Sequence, residues 1–247
     1  MPRYFKMMGE KKHQRGAPVE QVEAMFDSIS PHYDRLNHLL SLGTDRLWRR
    51  RAISLIGKHI RPGNIIDVAT GTGDLAIAAM RLEPVKITGI DISTEMLAIA
   101  REKIARLGFT DKIMMLKGDS AAISFGDAGF DVAMSAFGVR NFEDTLAGLR
   151  EMYRVLRPGG MVMIMEFSKP AWFPLKQIYG LYFSKILPWI GRRISGDPDA
   201  YTYLPETVSQ FPENDAFLDI LTEAGFRDVN QKRMTGGIVS VYYGFRT

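Results

Sequence analysis

The feature that most constrains the fold is an alternation, from residue 64 onward, of short apolar runs with longer stretches of helical spacing. The runs are rich in branched side chains, which is typical of strands that are buried on both faces. They lie at residues 64–69, 87–91, 113–118, 130–135 and 161–167. Strands that alternate with helices predict an α/β fold in which helices cover both faces of a mostly parallel sheet.

The stretches between the runs carry helix start and stop signals. Ser93 is a suitable N-cap for a helix that ends before Gly108. The apolar stripe of this helix consists of Met96, Leu97, Ala100, Ile104 and Leu107. A second helix is predicted over residues 145–156, because a Pro-Gly-Gly sequence follows at 158–160.

The last third of the chain departs from this rhythm. Residues 170–212 are predicted to form a helical cap insertion, since residues 172–194 are dense in aromatic side chains and are interrupted by prolines. A helix over 213–224 and strands over 228–234 and 236–245 should follow. The two strands are expected to form a hairpin at the sheet edge.

The beginning of the chain is basic and lacks the continuous apolar stretch of a secretory signal. Residues 1–20 are therefore predicted to be a mobile basic tail. Apolar stripes within residues 21–62 predict helices that cover one end of the sheet. We expect one domain over residues 21–247.

Composition excludes several classes of chemistry. The chain has no cysteine, which rules out disulfides, thiolate nucleophiles and zinc–thiolate sites and is compatible with the cytoplasm. Lys and Arg number 32 against 28 Asp and Glu, a modest surplus that could favour anionic membrane surfaces or acidic ligands but fits an ordinary solvated surface better. We expect no nucleic-acid partner. No apolar run is long enough to predict a membrane-spanning helix. We expect a cytoplasmic protein that is soluble or peripheral at the inner face of the membrane.

The strongest motif is DVATGTGDLA at residues 67–76, where a buried strand enters a glycine-rich turn that opens a helix. Gly71 and Gly73 let the backbone approach a ligand, and the helix start presents free N–H groups. Asp91 and Asp119 end the next two strands, where carboxylates can bind a ribose and an adenine. Singly, each has a structural interpretation as a turn glycine or a cap; together they predict a nucleotide site.

The loop alone also satisfies the dinucleotide fingerprint, so an NAD-dependent oxidoreductase is one alternative. Asp67, just before the loop, favours S-adenosylmethionine instead. Its carboxylate could hold water or the ammonium group of the donor, whereas it would repel a pyrophosphate.

Three stretches resemble the C-methyltransferases of ubiquinone and menaquinone biosynthesis. They are YDRLNHLLSLGTDRLW at 33–48, which follows VEAMFDSIS at 22–30, RVLRPGGMVMIMEFSKP at 154–170, and FGVRN at 137–141. The resemblance extends from about residue 22 to residue 245. It implies a Rossmann-like class I methyltransferase with a seven-stranded sheet whose last strand is reversed. A departure is Ala69, where many methyltransferases have glycine.

The resemblance also implies roles for individual residues. Donor contacts carry over to Thr72, Asp91, Asp119 and Ser120. We add to this donor set Asp67, Gly71, Gly73, Ile92 and Ser135, with Ala136 as the alternative to Ser135. No metal ligands are evident, and methyl transfer from a sulfonium needs none.

The implied acceptor is a polyprenylated quinol whose ring carbon becomes methylated. Arg140 and Asn141, after the fourth strand, are predicted to stabilise the oxyanion that develops on the ring. Arginine stays protonated, so Arg140 is assigned an electrostatic role. Tyr33 and Asp34 are candidates for contacting the quinol or relaying a proton, although the pair could equally be a cap and a packing anchor. Glu166 could line the pocket or hold the cap.

The aromatic segment 172–194 is predicted to form a helical lid with some lipid contact, which would hold the prenyl tail and touch a membrane surface; a homodimer contact is the structural alternative and does not exclude the lid. A methyltransferase for another lipid or phenolic acceptor, and a noncatalytic binding protein, are further alternatives to the quinol enzyme.

Overall fold

The computed structural model describes residues 16–41, 43–170, 172–181 and 207–247. Seven strands are found there: β1 (Asn64–Val68), β2 (Lys86–Asp91), β3 (Ile113–Lys117), β4 (Phe130–Ala136), β5 (Leu156–Phe167), β6 (Arg227–Met234) and β7 (Val239–Phe245). They form one sheet of order β3-β2-β1-β4-β5-β7-β6. Strand β7 is antiparallel to both neighbours, and the other pairs are parallel.

Helices cover both faces of the sheet. The described α-helices are α1 (Val19–Leu40), α2 (Thr44–His59), α3 (Asp74–Ala79), α4 (Thr94–Arg106), α5 (Thr145–Val155), α6 (Leu175–Leu181) and α7 (Asp215–Glu223). Helix α4 starts as its sequence predicts, because the Ser93 side chain accepts a 3.1 Å hydrogen bond from the Met96 N–H. The segment that was predicted to cover one end of the sheet, residues 21–62, contains most of α1 and all of α2.

Successive side chains of β5 point to opposite faces of the sheet and pack into two separate layers of the core. Met161, Met163 and Met165 are fully buried against the side covered by α2, α3 and α4. Val162 and Ile164 are fully buried on the opposite side, against α5 and α7. Each fully buried apolar side chain of this size stabilises the fold by about 1.5–3 kcal/mol. The sheet is thus a rigid base, and its strand ends are fixed in relation to one another.

The five parallel strands, the doubly covered sheet and the reversed β7 confirm the predicted fold. The terminal hairpin is also present, with β6 outermost and β7 inserted between β5 and β6. Two predictions were wrong in detail. Leu107 is 49% exposed and caps α4 rather than extending its apolar stripe. Strand β5 begins at Leu156 because that residue pairs with Phe130, so α5 ends at Val155.

The remaining predictions fall partly outside the described residues. Helix α7 is two residues shorter at its start than the predicted 213–224. Of the predicted tail, residues 1–15 lie outside the description, as do residues 182–206 of the predicted cap, whose first helix is α6. The domain boundaries stay a prediction. Among the described helices, none has the length and apolar character needed to cross a bilayer.

Candidate active site

A cleft opens at the carboxyl ends of β1 to β4, the edge at which parallel sheets bind ligands. It encloses about 1010 Å³, counting the part of its mouth that is open to solvent. Helix α1 forms one wall with Val19, Val22, Phe26, Tyr33 and Asn37. Helix α1 belongs to the segment that was predicted to cover one end of the sheet, and it lies over the carboxyl edge. This predicted cover is therefore part of the site.

The glycine-rich loop joins β1 to α3 at the cleft floor. The Gly71 N–H donates a 2.7 Å hydrogen bond to Asp91 Oδ2, and the Ser93 N–H donates to Asp91 Oδ1 at 2.9 Å. Asp91 therefore ties the loop to the next strand end. Gly71 has a φ of +53°, and an added Cβ would have nothing within 4 Å, so the backbone itself faces open space. The predicted close approach of a ligand is sterically possible here.

Thr72 and Gly73, also in the glycine-rich loop, differ in whether they line the cleft. Thr72 lines the cleft, whereas Gly73 does not; Gly73 is the N-cap of α3 at a φ of +80°. Ala69 also has a left-handed φ, of +55°, which carries a conformational cost for any residue other than glycine. This conformation explains why a glycine suits that position.

Asp67 lies at the cleft floor with no solvent exposure. Its Oδ2 accepts a 2.6 Å hydrogen bond from the Thr70 hydroxyl. Its Oδ1 is buried and has no hydrogen-bond partner among the described residues. Burial raises the pKa of the Asp67 carboxyl to about 7, against the opposing effect of the Thr70 bond. A cationic ligand group would satisfy this carboxylate.

The other predicted donor contacts lie along the same cleft. Ile92, Asp119 and Ser120 line it. Asp119 Oδ1 accepts a 2.9 Å hydrogen bond from the Ala121 N–H, which fixes the carboxylate at the end of β3. At the end of β4, Ala136 lines the cleft, whereas Ser135 is fully buried and is not part of the cleft lining. The geometry thus favours Ala136 over Ser135.

A polar network that sequence analysis missed connects α1 to the loop. The Thr72 hydroxyl donates a 2.6 Å hydrogen bond to Asp34 Oδ1. Lys103 of α4 donates to Asp34 Oδ2 at 2.8 Å and to the Thr72 hydroxyl at 3.2 Å, and it also pairs with Asp74. Asp34 is therefore held at the loop by α4, and its predicted contact with an acceptor is not supported.

The network continues into α2. Arg49 donates a 2.7 Å hydrogen bond to Asp74 and pairs with Asp45, which also contacts His38 at 2.7 Å. Burial alone would raise the pKa of Asp74, but Arg49 and Lys103 hold it below its usual value. His38, Asp45 and Asp74 have ligand atoms within 4.8 Å of one another, yet the Arg49 guanidinium already bridges the two carboxylates. No motif signalled Arg49 or Lys103, because these contacts are long-range.

Strain is concentrated at the end of β4. Phe137 has a φ of +60°, which is unusual for a bulky side chain. A Cβ on Gly138 would lie 2.6 Å from the Ala69 Cβ and 2.9 Å from the Ser135 hydroxyl, so only glycine fits there. This close approach brings the β4 loop against the β1 loop. Strained backbone of this kind is found preferentially at functional sites.

The predicted catalytic residues follow that strained turn. Asn141 lines the cleft, and its Oδ1 is buried without a partner among the described residues. Arg140 is not among the cleft-lining residues; its Nη1 donates to Glu166 Oε2 at 2.8 Å and to the Phe137 carbonyl. Burial raises the pKa of the Tyr33 phenol, and the positive charge of Arg140 opposes that rise. The three residues thus lie in one region, although only Tyr33 and Asn141 line the cleft.

An aromatic wall extends away from the cleft. Phe137 stacks on Phe167 with ring centroids 4.5 Å apart, and Trp48 meets both rings edge-on at 6.2–6.3 Å. The Trp48 indole donates to the Thr235 hydroxyl at 2.7 Å, and the Trp172 indole donates to the neighbouring Gly236 carbonyl at 3.2 Å. The wall therefore leads from the cleft to α6.

Side chains at the α6 end of this wall are open to solvent. Trp172 is 56% exposed and the adjacent Phe173 is 77% exposed. Exposed aromatic rings beside lysines are typical of surfaces that meet an apolar partner or a membrane interface. The polar cleft is thus connected, through the aromatic wall, to an exposed apolar surface near α6.

Comparison with known proteins agrees with this geometry. The model of the ubiE/COQ5 methyltransferase family matches residues 8–246. A demethylmenaquinone methyltransferase of Bacteroides fragilis is 46% identical over 228 residues, which cover 92% of this chain and 93% of the relative. A ubiquinone/menaquinone biosynthesis C-methyltransferase of a Geobacter species is 45% identical over 227 residues, covering 91% and 96%.

A solved structure shares the fold. A SAM-dependent methyltransferase from Thermotoga maritima superposes with a TM-score of 0.64 at 20% sequence identity, covering 91% of this chain and 99% of that one. At this identity the likeness concerns the fold alone. It agrees with the Rossmann-like class I architecture that the sheet order displays.

Proposed function

The chain belongs to the ubiE/COQ5 methyltransferase family, and from this premise we propose that it methylates a ring carbon of a polyprenylated quinol, with S-adenosylmethionine as donor and S-adenosylhomocysteine as coproduct. The acceptor is proposed from the names of the relatives, which are demethylmenaquinone and ubiquinone/menaquinone methyltransferases. The observation that carries the proposal is the placement of Asp67, Asp91 and Asp119 around one cleft in a chain that matches the family along nearly its whole length.

The cleft fits the donor at each polar point. When bound, S-adenosylmethionine supplies a methyl group on a positively charged sulfur. Asp91 is placed to accept hydrogen bonds from ribose hydroxyls, and Asp119 and Ser120 to contact the adenine. The unpartnered Oδ1 of Asp67 suits an ammonium group, directly or through water. Gly71, Thr72 and Ile92 complete the contacts; Gly73 acts through the turn.

An NAD-dependent oxidoreductase fits the same cleft less well. A pyrophosphate would lie against the loop and next to Asp67, whose carboxylate has, among the described residues, no cationic partner within hydrogen-bond distance to neutralise it. Like charges this close repel strongly where water is excluded. Asp67 therefore favours a ligand that carries a positive charge.

Three side chains act on the acceptor in this proposal. Transfer of the methyl group would use electron density from an ortho oxygen of the ring, would break the bond between that methyl and sulfur so that S-adenosylhomocysteine is left, and would release the proton of the methylated carbon to water. The Arg140 charge stabilises the oxyanion that develops on the ring. The raised pKa of Tyr33 keeps its phenol protonated, so that it donates a hydrogen bond to a ring oxygen. Asn141 offers its unpartnered Oδ1 to an acceptor hydroxyl or a water.

The acceptor's prenyl tail would follow the aromatic wall towards α6. This places the exposed Trp172 and Phe173 at the surface of a membrane that holds the tail, with Lys169 and Lys176 beside them. The proposed position is peripheral, at the inner face of a membrane, and the exposed rings beside lysines support the membrane contact. A homodimer that covers the same rings is the alternative, and light scattering of the detergent-free protein distinguishes the two.

The reaction is tested by incubating the purified protein with methyl-labelled S-adenosylmethionine and, separately, with reduced demethylmenaquinone and the demethylated polyprenyl benzoquinol. Mass analysis of the ring is expected to find the labelled methyl on carbon, and the preferred quinol identifies the acceptor. Phenols and lipids without a quinol ring serve as competing acceptors. Donor binding without labelling of either quinol would overturn the quinol assignment, and absence of donor binding would overturn the methyltransferase assignment.

A further inference from the structure

Glu166 is the last but one residue of β5 and has no solvent exposure. Both of its carboxylate oxygens contact the same residue. Oε2 accepts a 2.8 Å hydrogen bond from Arg140 Nη1, and Oε1 accepts a 3.2 Å hydrogen bond from the Arg140 backbone N–H. The carboxylate therefore holds the side chain and the backbone of Arg140 together.

The remaining contacts of Arg140 make its orientation specific. Nη1 also donates to the Phe137 carbonyl, and the guanidinium carbon lies 5.7 Å from the centre of the Phe167 ring. The Arg140 side chain is only 7% exposed. Its Nε is buried and, within the part of the chain that is described, has no hydrogen-bond partner. A buried donor without a partner is costly, so this N–H is suited to meet an oxygen that arrives with a ligand.

We propose that Glu166 is a positioning residue, which fixes the Arg140 guanidinium by its Nη1 side, so that its charge faces the developing oxyanion from behind the cleft lining and its Nε–H is left to donate a hydrogen bond to an acceptor oxygen through a water. This inference rests on the proposed function of the cleft. Glu166 acts only through Arg140 and does not touch the acceptor.

The side chain at position 166 must meet two demands. It must reach both the Nη1 and the backbone N–H of Arg140, which needs two acceptor oxygens at that distance from the strand. It must also be negatively charged, because a guanidinium buried without a counter-charge is strongly unfavourable. Glutamine meets the first demand only in part, since its side-chain amide has one acceptor oxygen and an NH₂ group that donates. Aspartate keeps the charge but is one methylene shorter.

The orientation of Arg140 can be measured without any turnover. In protein labelled with isotopic arginine, the Nε–H resonance of Arg140 is identified by its absence from Arg140→Lys. In the wild type we expect a single sharp signal that exchanges slowly with solvent. In Glu166→Gln we expect that signal to broaden or exchange rapidly. An unchanged signal in Glu166→Gln would overturn the proposal, whatever the enzyme's substrate proves to be.

Kinetics then test whether the orientation matters for the reaction. Glu166→Gln is expected to lower kcat by about 10²-fold, as loss of one aligned transition-state donor does, with the affinity for S-adenosylhomocysteine unchanged. Glu166→Asp should recover part of the rate. Glu151→Gln is the matched control, because Glu151 also pairs with an arginine, Arg154, but lies away from the cleft.

A double-mutant comparison separates positioning from general destabilisation. If Glu166 acts only through Arg140, the variants Arg140→Met and Arg140→Met/Glu166→Gln have the same kcat, because methionine leaves no cation for position 166 to hold. Additive losses in kcat would overturn the proposal. A wild type that binds the donor but methylates no quinol would overturn the proposed function instead, and the Arg140 resonance would still decide whether Glu166 holds the guanidinium.

Discussion

The Thr72 hydroxyl donates a 2.6 Å hydrogen bond to the Asp34 carboxylate and thereby joins the glycine-rich loop to α1. Lys103 contacts both residues from α4. A residue of the donor loop is thus also a point of attachment for the helix that walls the cleft. The loop and the wall cannot move independently without breaking this contact.

Replacing Thr72 with valine keeps the shape of the side chain and removes the hydroxyl. We expect donor affinity to fall by about tenfold, because a hydrogen bond to a charged group is lost and the wall is no longer fixed to the loop. Titration calorimetry with S-adenosylhomocysteine measures the effect. Thr222→Val is the control, since the Thr222 hydroxyl donates to the Leu218 carbonyl on the exposed side of α7. Equal affinities for the two variants would contradict the coupling.

Asp91→Asn should abolish most donor binding. The carboxylate accepts from Gly71 and Ser93 and still has lone pairs for ribose hydroxyls, whereas an amide end would present a donor to one of these N–H groups. We expect a loss of affinity of about 10²-fold. Asp131→Asn is matched to it: Asp131 accepts from the N–H groups of Gly63 and Asn64, at the opposite edge of the sheet. That control should lower thermal stability and leave affinity unchanged.

Donor binding should depend on pH through Asp67. The folded-state pKa of Asp67 is raised by burial to about 7, and a cationic ligand stabilises the ionised form and lowers that pKa. Affinity for S-adenosylhomocysteine is therefore expected to rise with pH up to about 7 and then to level off. Calorimetry in buffers of different ionisation enthalpy should detect a proton released on binding below pH 7. An equally steep rise in Asp67→Asn would assign the effect to another group.

The same raised pKa affects the stability of the free protein. Between the ordinary carboxyl pKa and about 7, the unfolded chain has released the Asp67 proton while the folded protein retains it. The contribution of Asp67 to the free energy of unfolding is therefore favourable at low pH and is lost as pH rises towards 7. Asp67→Asn should weaken this loss in thermal unfolding curves.

Gly138→Ala should destabilise the protein by about 1–3 kcal/mol, since the new methyl group would overlap the Ala69 methyl. Ala69→Gly removes the overlapping group and also relieves the left-handed φ of Ala69. The double variant is therefore expected to regain stability in thermal unfolding. Gly126→Ala, where an added Cβ meets nothing within 4 Å, is the control. A double variant as unstable as Gly138→Ala would place the strain elsewhere.

The exposed rings at α6 give a prediction about the acceptor's tail. Phe173→Ser should reduce binding to anionic lipid vesicles and should slow methylation of a long-tailed quinol in those vesicles. Its rate with a quinol lacking the tail should be unchanged, because the cleft is intact. Val85→Ser is the control, since Val85 is 69% exposed before β2, at the amino edge of the sheet. Equal vesicle binding by both variants would count against a membrane role for Phe173.

Features set by local patterns were predictable from the sequence. The five parallel strands follow from their apolar runs, and Ser93 caps α4 because a serine before a helical pattern favours that role. The boundary between α5 and β5 was not predictable. Leu156 continues the helical pattern, and only its pairing with Phe130 across the sheet places it in the strand.

The site also has residues that could be located from the sequence and contacts that could not. Asp67, Asp91 and Asp119 could be located because each lies at or next to the carboxyl end of a strand, and parallel strands bring these ends together. The partners of Asp34 and Arg140 could not be located. Lys103 is 69 positions from Asp34, and Glu166 is 26 positions from Arg140, so only the folded sheet and helices bring them into contact.

The position of β7 sets the order in which the sheet can be completed. Strand β7 follows β6 in the chain but lies between β5 and β6. Until residues as late as Phe245 have been synthesised, β5 has no partner on that side, and its row of free N–H and C=O groups is open to pairing with other chains. Translation therefore produces all the residues of the nucleotide cleft before the edge of β5 can be closed, and an unpaired strand edge of this kind promotes aggregation.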